Sequence, residues 1–188
     1  MGIMIICMNS FSQNRVDSLN DLSSLLMSEM LRIDSIEKST LGKDFSEFKT
    51  VALNGDVISE KNLNGKVTLV NFWFETCAPC IAELGALSNL FNEYKDNPDF
   101  LFLSFTVDNL EVARKAVEKY DIPFIVCSLS REEASRMNFS MGFPTNIILN
   151  RERKIVFFKS GGSIKEKMVE KQIKEIGNVI SKILINYH

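Results

Sequence analysis

The chain of 188 residues has little of what builds metal sites or disulfide frameworks. Its one histidine is His188, the last residue, so a two-thiolate site for a soft metal would lack an imidazole close by in sequence. Its four cysteines are Cys7, Cys77, Cys80 and Cys127. Only one pair is close in sequence, which excludes a disulfide-stapled scaffold. The net charge is −2 and no basic stripe stands out, which argues against nucleic-acid binding. No apolar run reaches about 18 residues, so no transmembrane helix is expected. With 45% hydrophobic residues, the chain reads as one globular domain with a full core and an extension.

What is present is concentrated in Val67–Leu84. Val67 to Phe74 is continuous, apolar and rich in β-branched and aromatic residues. That pattern predicts a strand buried on both faces in an α/β sheet. Helical spacing begins after Cys80, so Cys77-Ala78-Pro79-Cys80 lies where a strand gives way to a helix. A thiol there sees unpaired backbone N–H groups and the positive end of the helix dipole, which favour its thiolate. Pro79 suits the first helical turn, where its missing N–H costs nothing. Two intervening residues let a disulfide open and close without moving the helix.

A helical projection separates the two sulfurs. With Glu83 at zero and steps of ~100°, Leu84, Leu87, Leu90, Phe91 and Tyr94 define a core-facing arc from about −20° to about +100°. Cys80 falls inside it at about 60° and Cys77 on its rim at about 120°. Cys77 is therefore expected to be the exposed attacking thiol and Cys80 the sheltered resolving one. Glu83 also lies on the apolar arc. Its two readings are a solvated glutamate favoured by the dipole, or a half-buried acid that relays protons for Cys80.

Leu69-Val70-Asn71-Phe72-Trp73, the Cys-Ala-Pro-Cys motif and Glu83-Leu84 together resemble the thioredoxin-like thiol–disulfide oxidoreductases, in particular the envelope-located TlpA/ResA type. Cytosolic thioredoxins usually carry an aspartate where this chain has Asn71. The TlpA/ResA type is similar to this sequence in having Asn there and Glu three residues after the second cysteine. Two positions depart from the family pattern: Thr76 stands where Trp is usual, and Gly85 where Pro is common. The resemblance runs from about Asp44 to the C-terminus. It implies a thioredoxin-like α/β fold with a central mixed sheet flanked by helices, an N-terminal hairpin and an inserted strand–helix pair. It also implies a cis-proline at Pro144 in Gly142-Phe143-Pro144-Thr145, leaving the Phe143 backbone edge free to pair with an extended substrate. The substrate surface it implies comprises Trp73, Thr76, Ala78, Pro79, Phe143 and Thr145. No metal and no cofactor beyond the redox-active disulfide are implied.

The chain divides into residues 1–13, an extension at 14–43 and the domain at 44–188. The apolar run Ile3–Met8 and Ser10-Phe11-Ser12 suggest a trimmed or atypical signal peptide, although no Lys or Arg precedes the run; the alternative is a disordered tail. Asp17–Ile36 has helical spacing at Leu22, Leu25, Leu26, Met30 and Ile33, and is expected to pack on the domain or on a partner. Phe45–Ser59 alternates around Asn54-Gly55, a hairpin signal. Asp99–Val107 is a second buried strand, followed by a helix capped by Asp108 or Asn109. Phe124–Cys127 is a short strand, and Ser130–Glu133 a capping box. Cys127 is expected to be a buried, inert thiol. Lys154–Ser160 is an edge strand, and Ser163-x-x-Glu166 is expected to cap a final helix facing the sheet with Met168, Val169, Ile173, Ile176, Ile180 and Ile183.

The motif and its context predict a dithiol–disulfide oxidoreductase; the resemblance implies that it acts on protein disulfides, with an upstream thiol donor, in the cell envelope or periplasm, the alternative location being cytoplasmic. The Ala-Pro pair, without a His to stabilise the thiolate, tilts the direction toward reductase. A peroxiredoxin-like peroxidase is the enzymatic alternative, but its Thr or Ser three residues before the cysteine is Phe74 here. A copper-delivery module is the binding alternative, and it lacks a third ligand near the pair.

Overall fold

The computed structural model describes the backbone of residues 3–185 and the side chains of residues 21–185. The chain divides into two units, Met1–Ser39 and Thr40–His188. Helix α1 (Ile3–Thr40) makes up the first. It carries exposed ion pairs at helical spacing, Glu29–Arg32 at 2.7 Å and Lys38–Asp34 at 2.7 Å. Its regularly spaced Leu22, Leu25, Leu26 and Met30 are exposed. The leader expected over 1–13 falls in part on Met1 and Gly2, outside the described residues, and its side chains, Cys7 included, are outside them too.

The second unit opens with the expected hairpin. Strands β1 (Lys49–Val51) and β2 (Val57–Ser59) pair antiparallel around the Asn54-Gly55 turn. Gly55 sits at φ 96°, where a side chain would be strained. Asn54 Oδ1 accepts from the Asp56 N–H at 3.1 Å, closing the turn.

The central sheet has the order β5-β4-β3-β6-β7. It comprises β3 (Val67–Trp73), β4 (Phe100–Thr106), β5 (Ile125–Ser128), β6 (Thr145–Leu149) and β7 (Ile155–Ser160). Strands β3, β4 and β5 run parallel, while β6 and β7 are antiparallel additions, so the sheet is mixed as expected. Every residue of β3 is buried, which is why its sequence shows no polar alternation. Helix α2 (Ala78–Tyr94) crosses from β3 to β4, and α3 (Leu110–Lys119), capped by Asn109, crosses from β4 to β5. Helix α5 (Glu166–Ile185) closes the chain. These three helices share one apolar cluster with Leu69, Trp73 and Phe102, built from Leu84, Leu87 and Leu90, from Ala116, and from Val169, Ile173, Ile176 and Ile180. The approach of α5 to α2 is close: a Cβ on Gly177 would lie 3.1 Å from Leu90 Cδ1.

The inserted pair is β5 followed by α4 (Arg131–Met137), and the capping box of Ser130 with Glu133 is formed. Both sheet edges are covered. The hairpin lies along β5 through Leu53 N–H to Val126 O at 2.8 Å, and residues 42–44 lie along β7 through Gly42 N–H to Ile155 O at 2.8 Å.

Two expectations about the last helix are corrected. Ser163 does not cap it: its Oγ accepts from Lys165 N–H at 3.1 Å in a local turn, and the helix starts at Glu166. Met168 is 52% exposed, because the buried stripe begins one residue later at Val169.

Candidate active site

The site stands at the C-terminal end of β3, where α2 begins. Cys77 is the N-cap residue of α2, with Ala78 and Pro79 in its first turn. Cys77 and Cys80 form a disulfide, with Cα atoms 5.2 Å apart. Cys77 Sγ accepts from the Cys80 N–H at 3.3 Å, so one of the unpaired helix-start donors already points at the sulfur. That donor and the dipole would stabilise a thiolate at Cys77 once the disulfide opens.

Cys80 is fully buried, as the helical projection expected. Cys77 is 6% exposed rather than open, because closing the disulfide draws its sulfur over the helix start; the order of shelter is nevertheless the expected one. Thr76 and Ala78 are exposed, and Pro79 and Phe143 half-buried. Trp73 and Thr145 lie beneath this rim, both fully buried, and Thr145 Oγ1 donates to Gly142 O at 2.8 Å. The Phe143–Pro144 bond is cis. Pro144 and Pro79 converge on the backbone of Gly162, where a Cβ would lie 2.8 Å from Pro144 Cγ and 3.3 Å from Pro79 Cβ.

The Phe74 and Phe143 rings meet edge to face at 5.3 Å, and the Arg131 guanidinium from α4 lies 5.6 Å from the Phe74 centroid. Sequence reasoning missed this aromatic shelf, since residues 74, 131 and 143 are joined only by the fold. Glu75 is held by Lys119 at 3.0 Å, and its backbone N–H by Asp108 Oδ2 at 2.7 Å, which fixes the loop entering α2.

Under the pair lies a buried polar cluster around Glu83. Asn71 and Glu83 are reached from neighbouring elements, with Glu83 only 2% exposed. Asn71 Nδ2 donates to Glu83 Oε1 at 3.1 Å and to Asn146 Oδ1 at 2.9 Å. Asn146 Nδ2 donates to both Glu83 oxygens, at 3.1 and 3.3 Å. Gln172 Nε2, from α5, donates to Glu83 Oε2 at 3.4 Å, and Ser104 Oγ donates to Asn71 Oδ1 at 3.3 Å. Burial pushes the Glu83 carboxyl up to about 7, against the opposing pull of the Asn146 and Asn71 amides. With its side chain buried, Glu83 is not the solvated glutamate of the first reading. The shift corresponds to about 3 kcal/mol against the charged form.

Asn71 and Asn146 meet because antiparallel β3 and β6 pair them directly. Sequence reasoning missed Asn146, Gln172 and Ser104. The available signals were an amide in the apolar run of β6 and a glutamine on the apolar arc of α5, three residues from Val169 and four from Ile176.

Cys127 is fully buried on β5 and unpaired, and burial pushes its thiol up to about 12, as an inert thiol requires. Cys7 and His188 lie outside the described side chains. No described helix is long and apolar enough to cross a membrane.

Known proteins bear on this site. A family model described as Redoxin matches residues 38–178. A thiol-disulfide oxidoreductase ResA from Bacillus cereus is 30% identical over 141 residues, covering 74% of this chain and 75% of that one. A thioredoxin-like protein YneN from Bacillus subtilis is 29% identical over 134 residues, covering 69% of this chain and 77% of the other. The crystal structure of the thioredoxin domain of a thiol-disulfide oxidoreductase from Bacteroides vulgatus superposes with a TM-score of 0.60 at 25% identity, over 73% of this chain and 98% of that chain. The fold is also that of a thiol:disulfide interchange protein from Bacteroides sp., with a TM-score of 0.63 at 24% identity over 79% of this chain and 95% of the other.

Proposed function

Because the chain belongs to the Redoxin family, we infer that the Cys77–Cys80 pair gives it thiol–disulfide oxidoreductase activity. The observation that carries the reading is the pair itself: a disulfide at a helix start, one sulfur near the surface and the other sealed. The protein is an oxidoreductase of the TlpA/ResA type.

We propose the reductase direction on protein disulfides. Cys77 thiolate attacks a substrate disulfide, forming a mixed disulfide and expelling the substrate's first thiolate. Cys80 then attacks Cys77 Sγ, the Cys77–substrate bond breaks, and the substrate's second thiolate leaves. Glu83 takes the proton that Cys80 gives up as it attacks. An upstream dithiol donor returns the pair to its reduced state. The electrons and protons pass through the two sulfurs and Glu83, so no further redox cofactor is needed. Thr76, Ala78, Pro79 and Phe143 form the surface that a substrate meets, supported from beneath by Trp73, Pro144 and Thr145. An envelope location is proposed from the likeness to the TlpA/ResA type.

A peroxidase or copper-delivery role is not favoured, since the relatives carry thiol–disulfide names. The test is the equilibrium of the Cys77–Cys80 pair with glutathione, together with turnover on a protein disulfide. A potential near ~−270 mV supports the reductase direction, and one near ~−120 mV reverses it. No turnover on any protein disulfide would end the reading.

A further inference from the structure

Among the described residues, every side-chain hydrogen bond onto Glu83 comes from an amide N–H: from Asn71, Asn146 and Gln172. That arrangement suits a carboxylate, which only accepts. A protonated Glu83 carries an O–H and needs an acceptor, so one amide must turn its carbonyl toward it. Asn71 is not free to do so, because its carbonyl takes the Ser104 hydroxyl and its amino group also serves Asn146 Oδ1. Asn146 is held in the same way, since its carbonyl takes Asn71 and its amino group spans both Glu83 oxygens. The Gln172 amide has one described side-chain partner, Glu83, at 3.4 Å, the loose end of the hydrogen-bond range. It is also half-buried, so it borders the solvent that the other two do not reach.

We propose that Gln172 is the positioning residue for Glu83's proton: its amide donates to the carboxylate, and its carbonyl turns to hold the O–H of the carboxylic acid at the side that borders solvent. This rests on the oxidoreductase reading and adds a regulator to the same site. When Cys80 resolves a mixed disulfide, Cys80 Sγ bonds to Cys77 Sγ, the Cys77–substrate bond breaks, and the substrate leaves as thiolate. The Cys80 proton moves to Glu83 and leaves to water past Gln172. Reduction by the donor dithiol runs the proton the other way.

The groups that face Glu83 define what else could set its titration. On α2 these are the two cysteines; from β3 and β6 only Asn71 and Asn146; from α5 Gln172, whose charged neighbours Glu170, Lys171 and Lys174 are exposed. From β7, Lys159 pairs with Asn146 across the ladder and shares its face of the sheet. Burial raises Glu83 and amide bonds lower it, with no charged partner among the causes.

The test uses the reduced full-length chain with Cys7→Ser, mixed rapidly with dithiobis(nitrobenzoate), an aromatic disulfide. The first thiolate released reports attack by Cys77 and the second reports resolution by Cys80. Gln172→Met keeps the length and removes the amide. It should leave the first phase within about twofold and move the pH midpoint of the second upward by about half to one unit, since the donor lost to the charged carboxylate is worth more than the acceptor lost to the neutral acid. The same change in a Glu83→Gln background should move nothing, which shows that Gln172 acts through Glu83. An unshifted second phase, or an equal effect in both backgrounds, overturns the proposal. Absence of a second phase in the parent overturns the oxidoreductase reading instead.

Discussion

Asn71 Nδ2 lies 3.1 Å from Glu83 Oε1, so the group facing the helix acid from mid-sheet is an amide, not a second acid. The site therefore holds one buried carboxyl. Asn71→Asp would put two carboxyls within about hydrogen-bond distance, where they share a proton and titrate as a pair. The oxidised variant should lose stability more steeply than the parent as pH rises from about 6 to about 9, because the second ionisation is opposed by the first. Thermal midpoints across that range test this. Parallel curves for variant and parent would show that position 71 does not sense Glu83.

Glu83 itself should make the oxidised protein less stable as pH rises. Its folded value, about 7, lies above its ordinary value of 4.5. Between the two the folded state keeps a proton that the unfolded state gives up, so the unfolded state binds fewer and stability falls with pH. The total loss across the window is about 3 kcal/mol. Glu83→Gln removes the titration, so its urea midpoints at about pH 5 and about pH 8 should differ less than the parent's. The oxidised form is the one to use, since Cys77 and Cys80 do not titrate while they are joined. An unchanged slope would place the pH dependence elsewhere.

Much of this was legible in the sequence, and the limits have physical causes. β3 showed itself as a continuous apolar run because both faces are covered. Cys80 and Glu83 were legible because one helix fixes their angular positions. Asn146 and Gln172 were not, because their meeting with Glu83 depends on the β3–β6 register and the docking of α5, which no local pattern encodes. Cys77's low exposure was missed because a projection places a side chain on a rim without the disulfide that draws it in. Ser163 misled because a serine three residues before a glutamate serves a turn as well as a cap.

The two active-site thiols should react unequally. Limiting alkylation of the reduced protein at neutral pH should label Cys77 first, since Cys80 is sealed and Cys77 caps the helix start. Cys80→Ser should accumulate mixed disulfides with substrate, while Cys77→Ser should accumulate none. Adduct mapping by mass spectrometry checks both, and preferential labelling of Cys80 would reverse the roles.

Cys127 should be dispensable for redox chemistry. It is fully buried on β5, its thiol pushed up to about 12, and it is paired with nothing. Cys127→Ala should leave the potential of the Cys77–Cys80 pair unchanged and cost roughly 1 kcal/mol in packing. The measurements are glutathione equilibration and denaturant unfolding, and a large change in turnover would make it a third redox partner.

Gly162 should matter for substrate although it takes no part in the chemistry. It is exposed, yet a Cβ there would lie 2.8 Å from Pro144 Cγ and 3.3 Å from Pro79 Cβ. Proline rings cannot swing aside as a long side chain does, so even alanine must shift a backbone segment. Overpacking of that kind costs about 1–3 kcal/mol. The shift would fall on Pro79, between the two cysteines, and on Pro144, which belong to the proposed substrate surface and its support. Gly162→Ala should therefore raise KM for a protein disulfide several-fold. The first-phase reaction of Cys77 with a small aromatic disulfide should stay within about twofold, because the helix-start donors that activate the thiol are untouched. Equal losses with both reagents would mean that the glycine supports the cysteines themselves, and no change in either would mean that the loop yields without cost.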